Sequence, residues 1–340
     1  MTMKKVFFIT DYKGYFGSKY HSTPYRGGMD RELLSRSMTE RGFEPLFVRP
    51  VKEELEKHDL SSGITVFGSH QDKGLHYKRF LEDLAVALEA SGHTVCPSSM
   101  LIRAHENKVF FEMLRHNAGS QELRQLRSWW YGSYEEFLAF SAGLPYPVLI
   151  KRPDGSMSRG VSLAATRGDA ERIVRRAMRT PCLQGLLRDT VRRIRHSNYI
   201  AESWRRGKIV VQEFIPGLKN DYKVLVFGTK YYVLYRKVRE GDFKASGQGM
   251  LEYRRELPDG LLDFAEKCFT AFRAPNASFD IGFDGRNYYL FEAQYVCFGT
   301  YTLENSSFYF SRNKEGWECI DGKSSLEEEY AESLALFFAR

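Results

Sequence analysis

Two stretches near the end of the chain place oxygen-bearing side chains on predicted strands. Asp280 lies in Ser-Phe-Asp-Ile-Gly-Phe-Asp-Gly, and Glu292 and Gln294 lie in Tyr-Tyr-Leu-Phe-Glu-Ala-Gln. Glu292 and Gln294 are two residues apart, so they point to the same face of a strand. A hairpin turned at Asp284-Gly285 brings Asp280 to that face. Two carboxylates and an amide oxygen are hard ligands of the kind that Mg²⁺ prefers, so the pattern predicts a magnesium site.

A second feature is a lysine that ends a predicted strand and precedes a small loop. Lys151 closes an apolar run, and the loop after it contains Gly155, Ser156, Ser158 and Gly160. Small residues let backbone N–H groups approach phosphate oxygens closely, and the lysine adds a cation. The order differs from the known phosphate-loop and dinucleotide motifs, because the lysine comes first. By itself the stretch is equally compatible with an ordinary glycine-bearing hairpin loop.

A third feature is an apolar strand that ends in polar residues before a turn. It contains the segment Gln212, Glu213, Phe214 and Ile215, followed by Pro216-Gly217. Apolar faces and a few backbone hydrogen bonds are what a flat adenine ring requires, and this segment supplies both. Without other motifs it also reads as an edge strand followed by a turn.

The elements around these residues change in character along the chain. In the first hundred residues apolar strands alternate with amphipathic helices, which is typical of an open α/β sheet. A helix over 107–115 is predicted to bury Val109, Phe110, Met113 and Leu114. From Asp221 onwards the sequence is rich in β-branched and aromatic runs, which predicts a second, strand-rich region.

Composition excludes several classes of protein. The chain has 340 residues, of which 43% are hydrophobic and 27% charged, a balance typical of folded proteins rather than of disordered ones. No run of apolar residues is long enough for a membrane-spanning helix. The 5 cysteines are widely spaced and form no CxxC pair, which argues against a disulfide framework or a zinc ribbon. These features predict a cytoplasmic protein of two or three lobes.

The net charge of +7 is concentrated in one segment. Residues 172–208 contain eleven lysines and arginines against two acidic residues, which exceeds the net charge of the whole chain. Two interpretations remain open: a solvated surface, or a docking surface for an acidic macromolecule or a glycan. Nucleic acid is disfavoured, because no binding motif accompanies the charge and aromatic residues are not interleaved with it, with Trp204 in Glu-Ser-Trp-Arg-Arg as an exception.

Taken in order, these motifs resemble the ATP-grasp superfamily. The resemblance covers about Asn107 to Gln294 and is strongest to amino-acid ligases that add glutamate to carboxylates of proteins or cofactors. It implies an α/β (α+β) fold of three lobes, with an open-sheet N-terminal lobe and ATP between the central and C-terminal lobes. The corresponding boundaries are 1–104, 105–213 and 214–340.

The resemblance also implies a role for each motif. Two lysines, Lys108 and Lys151, match those that bind the nucleotide, and Gly155–Gly160 matches the flap over the phosphates. Residues 212–215 match the adenine segment, with Glu213 and Ile215 at the positions whose backbone reads the base, and Asp221 falls near the ribose. The remaining matches are Arg236, which holds the transferred phosphoryl group, and the magnesium ligands Asp280, Glu292 and Gln294.

Three positions depart from the family pattern. Gln294 stands where Asn is usual, which moves the amide oxygen outward by one methylene group. The family usually has Pro-Gly and small residues after its last ligand, whereas residues 295–300 here are Tyr-Val-Cys-Phe-Gly-Thr, which leaves the acceptor pocket undefined. Lys223 stands where Arg is usual, so it keeps the charge and loses bidentate geometry.

The resemblance implies an ATP- and Mg²⁺-dependent ligase that joins a carboxylate to an amine through an acyl phosphate. The carboxylate and the amine, small molecule or peptide, are not specified by the sequence, and neither is the oligomeric state. Two alternatives remain open: an ATP-grasp phosphotransferase and a non-catalytic ATP-binding protein.

Overall fold

A computed structural model describes residues 3–68, 72, 74–155, 160–180, 183–237 and 251–339, without the side chains of 183, 184, 186 and 187. The strands within these ranges are β1 (Lys4–Ile9), β2 (Phe43–Val48), β3 (Gly63–Phe67), β4 (Thr94–Cys96), β5 (Ser128–Tyr131), β6 (Val148–Lys151), β7 (Val161–Ala164), β8 (Ile209–Glu213), β9 (Asn220–Phe227), β10 (Lys230–Lys237), β11 (Leu251–Glu252), β12 (Asn276–Phe283), β13 (Tyr288–Gln294), β14 (Phe308–Arg312) and β15 (Trp317–Asp321). The helices are α1 (Arg31–Glu40), α2 (Lys52–Leu55), α3 (His76–Ala90), α4 (Ser99–Ala104), α5 (Lys108–Asn117), α6 (Gln121–Arg124), α7 (Tyr134–Phe140), α8 (Arg167–Ala177), α9 (Leu183–Arg195), α10 (Leu261–Phe272), α11 (Tyr301–Asn305) and α12 (Leu326–Phe338), and Leu60–Ser62 forms a 3₁₀ turn.

The chain folds as two compact units. The first is formed by Met1–His105, Ala118–Leu123 and Leu218–Arg340, and the second by Glu106–Asn117 and Arg124–Gly217. The second unit is therefore inserted between the two main parts of the first.

The N-terminal part of the first unit is a parallel sheet, as the alternation of strands and helices predicts. Its order is β2-β1-β3-β4, and each neighbouring pair is parallel. The central strand β1 is the apolar run Val6–Ile9, which is fully buried because parallel sheets carry helices on their faces.

The other sheet of the first unit is antiparallel among its neighbouring strands. Its order is β13-β12-β9-β10-β14-β15, and β11 pairs with β10. β9 and β10 form a hairpin in which Phe227 pairs with Lys230 across Gly228-Thr229. This two-residue connection fixes the register of every later pair in the hairpin.

The two sheets of the first unit share one hydrophobic core. Val6 and Leu34 from the N-terminal part pack in the same cluster as Leu225 from β9 and Leu334 from α12. Glu327 of α12 also accepts hydrogen bonds from the Lys19 ammonium and the Asp30 backbone, both at the N-terminal end of the chain. The C-terminal helix is therefore a structural part of the N-terminal region.

We expect Leu334→Ala to lower the free energy of unfolding by about 2–5 kcal/mol, because it leaves a cavity in this shared core. Leu336, on the same helix and 38% exposed, supplies the matched control, and its replacement by alanine should have a much smaller effect. Urea denaturation followed by circular dichroism measures both variants. Equal losses for the two leucines would contradict the shared core.

The second unit is built on a four-stranded sheet in the order β5-β8-β6-β7, with antiparallel neighbours. Its core joins Ile150 and Val211 of this sheet to Val174 of α8. Ser133 and Glu136 form a reciprocal capping box at the start of α7, and the Thr166 side chain caps α8. These caps fix the residues at which α7 and α8 begin.

Across the described ranges, none of the helices has both the length and the hydropathy that crossing a bilayer requires.

Candidate functional site

The three predicted metal ligands lie on one face of the β12–β13 hairpin. Asp280 pairs directly with Glu292, and Ser278 pairs with Gln294, two residues further along the same face. Side chains of directly opposed residues have Cβ atoms about 4.5–5.5 Å apart, so the two carboxylates are neighbours. The register shifts between Asp280 and Ile281, so a bulge follows Asp280 immediately. A donor set of two carboxylates and one amide oxygen fits a hard divalent cation.

Arg236 lies on the same sheet and is held by two aspartates. Its Nε and Nη2 donate to the two carboxylate oxygens of Asp221 at 2.6 and 2.8 Å, and Nη2 lies 2.9 Å from Oδ2 of Asp280. The Lys223 ammonium lies 3.7 Å from Oδ1 of Asp280. Two cations therefore approach the carboxylate of Asp280, and a bidentate pair fixes the plane of the guanidinium.

Burial changes the pKa values of the charged groups in this network. Asp221 and Arg236 are only 7% and 8% exposed. Burial raises the pKa of Asp221 to about 6, the attraction of Arg236 opposes the shift, and the negative charge of Asp280 adds to it. Burial alone would lower the pKa of Arg236, but Asp280 and Asp221 outweigh it and raise this pKa, so the guanidinium stays charged.

The structure therefore gives Asp221 a specific neighbour, where the sequence prediction placed it near a ribose. Both of its carboxylate oxygens already accept hydrogen bonds from Arg236. In this arrangement Asp221 orients the guanidinium of Arg236. The sequence contains the signal for this pair, since, six residues along each strand from the Phe227–Lys230 pair beside the turn, Asp221 lies opposite Arg236.

In the second unit, Lys108 holds the start of the glycine loop. Its ammonium donates to the Gly155 carbonyl at 2.6 Å, and its backbone N–H donates to the Pro153 carbonyl at 2.8 Å. Lys151 ends β6 and is 8% exposed. The two predicted nucleotide lysines thus both belong to the base of the loop.

The loop itself has left-handed backbone at two of its glycines. Gly155 has φ 111° and Gly160 has φ 81°, and a Cβ on Gly160 would come within 3.2 Å of the Arg152 side chain. The left-handed backbone therefore favours glycine at Gly160, and a side chain there would also displace Arg152 slightly. Ser156 and Ser158, which the sequence also assigns to the phosphate loop, lie outside the described residues.

The predicted adenine segment begins at the end of β8. Gln212 is fully buried and its amide donates to Glu112 at 3.2 Å, so its side chain points into the unit. Glu213 accepts a bidentate pair from Arg127 at 2.8 and 2.9 Å, and this hydrogen bond lowers the pKa of Glu213. Phe214 and Ile215 follow as half-buried residues. The Gln212 amide N–H and the Glu213 carboxylate thus have protein partners, whereas the Gln212 side-chain oxygen is buried without one, and the Glu213 backbone N–H donates to the Arg127 carbonyl at 2.9 Å.

A buried ion pair on α5, which the sequence prediction missed, contacts β8 through the hydrogen bond between Gln212 and Glu112. Arg115 and Glu112 of α5 are each 2% exposed and paired, and Arg115 also donates to the Leu126 carbonyl at 2.7 Å. The predicted buried residues Phe110, Met113 and Leu114 are instead only half-buried. An i, i+3 spacing of Glu and Arg signals the pair, but not its burial.

The segment after the metal strand, residues 295–304, contacts the N-terminal loop within the first unit. The Ser18 hydroxyl donates to the Phe298 carbonyl at 3.0 Å, and the Tyr20 backbone donates to Thr300 and to Glu304, each at 2.8 Å. This loop therefore packs against the segment that follows the predicted metal ligands.

No protein-family model matches the chain, and no curated protein matches it in sequence. Solved structures do match it over nearly its whole length. One is the D-cycloserine synthetase DcsG, with 11% identity, a TM-score of 0.55 and coverage of 97% of this chain and 98% of that one. Another is the ATP-grasp ligase PsnB, solved with its precursor peptide and AMPPNP, with 14% identity, a TM-score of 0.51 and 99% coverage of both chains.

At this level of identity the similarity establishes the fold. The chain has the ATP-grasp fold, and the fold predicted from the order of its motifs is confirmed.

Proposed function

We propose that the chain is an ATP- and Mg²⁺-dependent carboxylate–amine ligase. The observation that carries the proposal is the polar face formed by Asp280, Glu292 and Gln294 in register on one hairpin. It occurs on a fold shared with solved ligases, one of which holds Mg²⁺ and ADP. The same face also carries Arg236 and Lys223, which approach Asp280, so it combines cations with the oxygen ligands that a Mg²⁺-bound phosphate requires.

On the nucleotide side, the proposal assigns the phosphates to Lys108, Lys151 and the loop from Gly155 to Gly160, including Ser156 and Ser158. The backbone of residues 212–215 takes the adenine ring, between the apolar residues at the end of β8. The anchored start of the loop supports this assignment, because the Lys108 ammonium donates to the Gly155 carbonyl and the Gly155 N–H donates to the Glu106 carboxylate at 3.3 Å.

When bound, Mg·ATP would supply a phosphoryl group that activates a carboxylate as an acyl phosphate; an amine attacks the acyl carbon, and inorganic phosphate leaves as the amide bond forms. The residues of this chain bind and orient the reacting groups. Arg236, fixed in its plane by Asp221, holds the transferred group, and Lys151 neutralises phosphate charge. We name no general base, because an amine that arrives neutral does not require one. The substrates are a small-molecule or peptide carboxylate and an amine acceptor.

We test the proposal by measuring ADP release with Mg·ATP against a panel of carboxylates and amines. The panel includes amino acids and peptides, because the solved neighbours include a D-cycloserine synthetase and a ligase bound to a precursor peptide. The proposal expects ADP release only when a particular pair is present. Lys151→Ala should reduce that release by about a hundredfold, since one preorganised charge at a phosphoryl group is removed.

Lys314→Ala is the matched control, because Lys314 is exposed on the β14–β15 turn. It should retain full activity. Release that is unaffected by Lys151→Ala would contradict the role given to this lysine.

One observation favours a second candidate function, that of a non-catalytic ATP-binding protein. The carboxylate of Asp280 faces both Arg236 and Lys223, so two protein cations already balance its charge. Tight ATP binding without stimulated ADP release across the panel would favour this candidate. ADP release with transfer of phosphate to the acceptor, and no amide in the product, would favour a phosphotransferase.

A cytoplasmic location also remains a prediction.

A further inference from the structure

Glu106, the first residue of the second unit, has a strained backbone. Its φ is 50°, in the left-handed region that residues with a Cβ rarely adopt. A strained residue persists only where surrounding contacts hold it, and such residues concentrate at sites that bind ligands or switch between states. The strain therefore points to a role for the contacts that Glu106 makes.

The side chain of Glu106 reaches the glycine loop of the same unit. Its Oε2 accepts a hydrogen bond from the Gly155 N–H at 3.3 Å. Two residues further along the chain, the Lys108 ammonium donates to the Gly155 carbonyl at 2.6 Å. An anion therefore holds the N–H of Gly155 while a cation holds its carbonyl, and both side chains come from the start of α5.

The backbone before the loop is tied to the same segment. The Lys108 N–H donates to the Pro153 carbonyl at 2.8 Å, which adds a third hydrogen bond between the start of α5 and the start of the loop. Gly155 itself has φ 111°, a conformation open to glycine. The first glycine of the loop thus has a fixed position, with its N–H directed at a carboxylate.

The negative charge of this partner opposes the ligand that the loop is proposed to bind. Backbone N–H groups of such loops bind phosphate oxygens, and a carboxylate oxygen accepts the same kind of hydrogen bond. Glu106 therefore takes a hydrogen bond that the proposed function assigns to the phosphates. A phosphate and the carboxylate have the same sign of charge, so the two repel each other when both lie close to the Gly155 N–H.

We propose that Glu106 competes with the nucleotide phosphates for the Gly155 N–H and thereby lowers the affinity of the loop for nucleotide. Without nucleotide, the carboxylate satisfies the N–H and holds the start of the loop. When phosphates bind, the carboxylate leaves this N–H. The inference rests on the proposed function, because it requires that the loop binds phosphates, but it does not require the ligase reaction.

The neighbouring residue shows that the start of α5 is also anchored without Glu106. The Asn107 side-chain oxygen accepts hydrogen bonds from the Lys208 ammonium at 2.8 Å and from the Phe110 N–H at 3.3 Å. A neutral amide in place of the Glu106 carboxylate would hold the Gly155 N–H without repelling an anion. The charge of Glu106 therefore has its effect when phosphates approach.

Isothermal titration calorimetry of the full chain with Mg²⁺ and AMPPNP tests the proposal. Glu106→Gln keeps the length and the acceptor oxygen of the side chain and removes its charge. We expect this variant to bind AMPPNP about three- to tenfold more tightly than the unsubstituted chain, because the repulsion is removed. The gain should shrink as the salt concentration rises, because salt screens charges. A purely structural role for Glu106 would instead give weaker binding.

Two further variants separate competition from misfolding and from net charge. Glu106→Gly removes the carboxylate and the strain together, since glycine adopts left-handed backbone readily. It should also bind AMPPNP more tightly, and urea denaturation should show no loss of folding stability. Glu202→Gln is the matched control, because this side chain is 69% exposed in the same unit, and it should change the affinity less than about twofold.

The outcomes distinguish the inference from the proposed function on which it rests. AMPPNP binding by Glu106→Gln that equals or falls below that of the unsubstituted chain would overturn the inference and leave the proposed function standing. An equal gain in Glu202→Gln would also overturn it, because net charge rather than position would then explain the effect. No AMPPNP binding by the unsubstituted chain or by any of the variants would overturn both.

Discussion

Glu292→Gln is expected to reduce Mg²⁺-dependent ATP turnover by about a hundred- to a thousandfold. The substitution keeps the shape of the side chain and removes the negative charge that faces Asp280 across the hairpin. A divalent cation bound by fewer charges is held more weakly and stabilises the transferred phosphate less. The measurement is ADP release at a series of Mg²⁺ concentrations, with the substrates that the panel identifies. Asp280→Asn should have an effect of similar size.

Two comparisons make this prediction specific. Glu328→Gln, at an exposed position on α12 in the same unit, should leave the Mg²⁺ dependence unchanged. Calorimetry of AMPPNP binding with and without Mg²⁺ gives a second readout that does not need the substrates. An unchanged Mg²⁺ titration in Glu292→Gln would remove Glu292 from the metal site.

The second large effect is expected on stability. Arg236→Met should lower the free energy of unfolding by about 3–5 kcal/mol, because it leaves the buried carboxylate of Asp221 without its partner. Adding Asp221→Asn to Arg236→Met should recover part of the loss, because it removes that unpaired charge. Urea denaturation of the two single variants and the double variant gives the coupling between the residues.

An exposed arginine serves as the control for this cycle. Arg312 pairs with Asp263 and Glu266 at positions where about half of each side chain is exposed. Arg312→Met should therefore leave the free energy of unfolding nearly unchanged, because solvent screens the pair. If the double variant loses as much free energy of unfolding as the two single variants combined, Asp221 and Arg236 are not energetically coupled, which would contradict our inference.

The placement of the three predicted metal ligands on one face could be predicted from the sequence because its determinants are local. A hairpin and the two-residue period of a strand suffice to place Asp280, Glu292 and Gln294 on one face. The same reasoning about strand register, applied to the hairpin at Gly228-Thr229, also places Asp221 directly opposite Arg236. The prediction did not use this register and therefore missed a pair that the sequence contains.

Other features depend on contacts between distant parts of the chain. The docking of α12 against the N-terminal region joins Glu327 to Lys19 and Asp30, and no local pattern signals it. The burial of Glu112 and Arg115 under β8 is likewise decided by tertiary packing, which overrides their usual preference for the surface. The orientation of α9 could not be predicted from composition either. Composition identified the excess of positive charge in residues 172–208 but not the cavity that lies between the helix and residues 202–206.

The most direct test of the central claim is mass spectrometry of the product formed with Mg·ATP and the pair of substrates that stimulates ADP release. A ligase joins a carboxylate to an amine, so the account predicts a product whose mass is that of the two substrates less one water molecule. It also predicts about a hundredfold less of this product with Lys151→Ala. A phosphorylated acceptor, or ADP release without any joined product, would contradict the claim that this chain is a carboxylate–amine ligase.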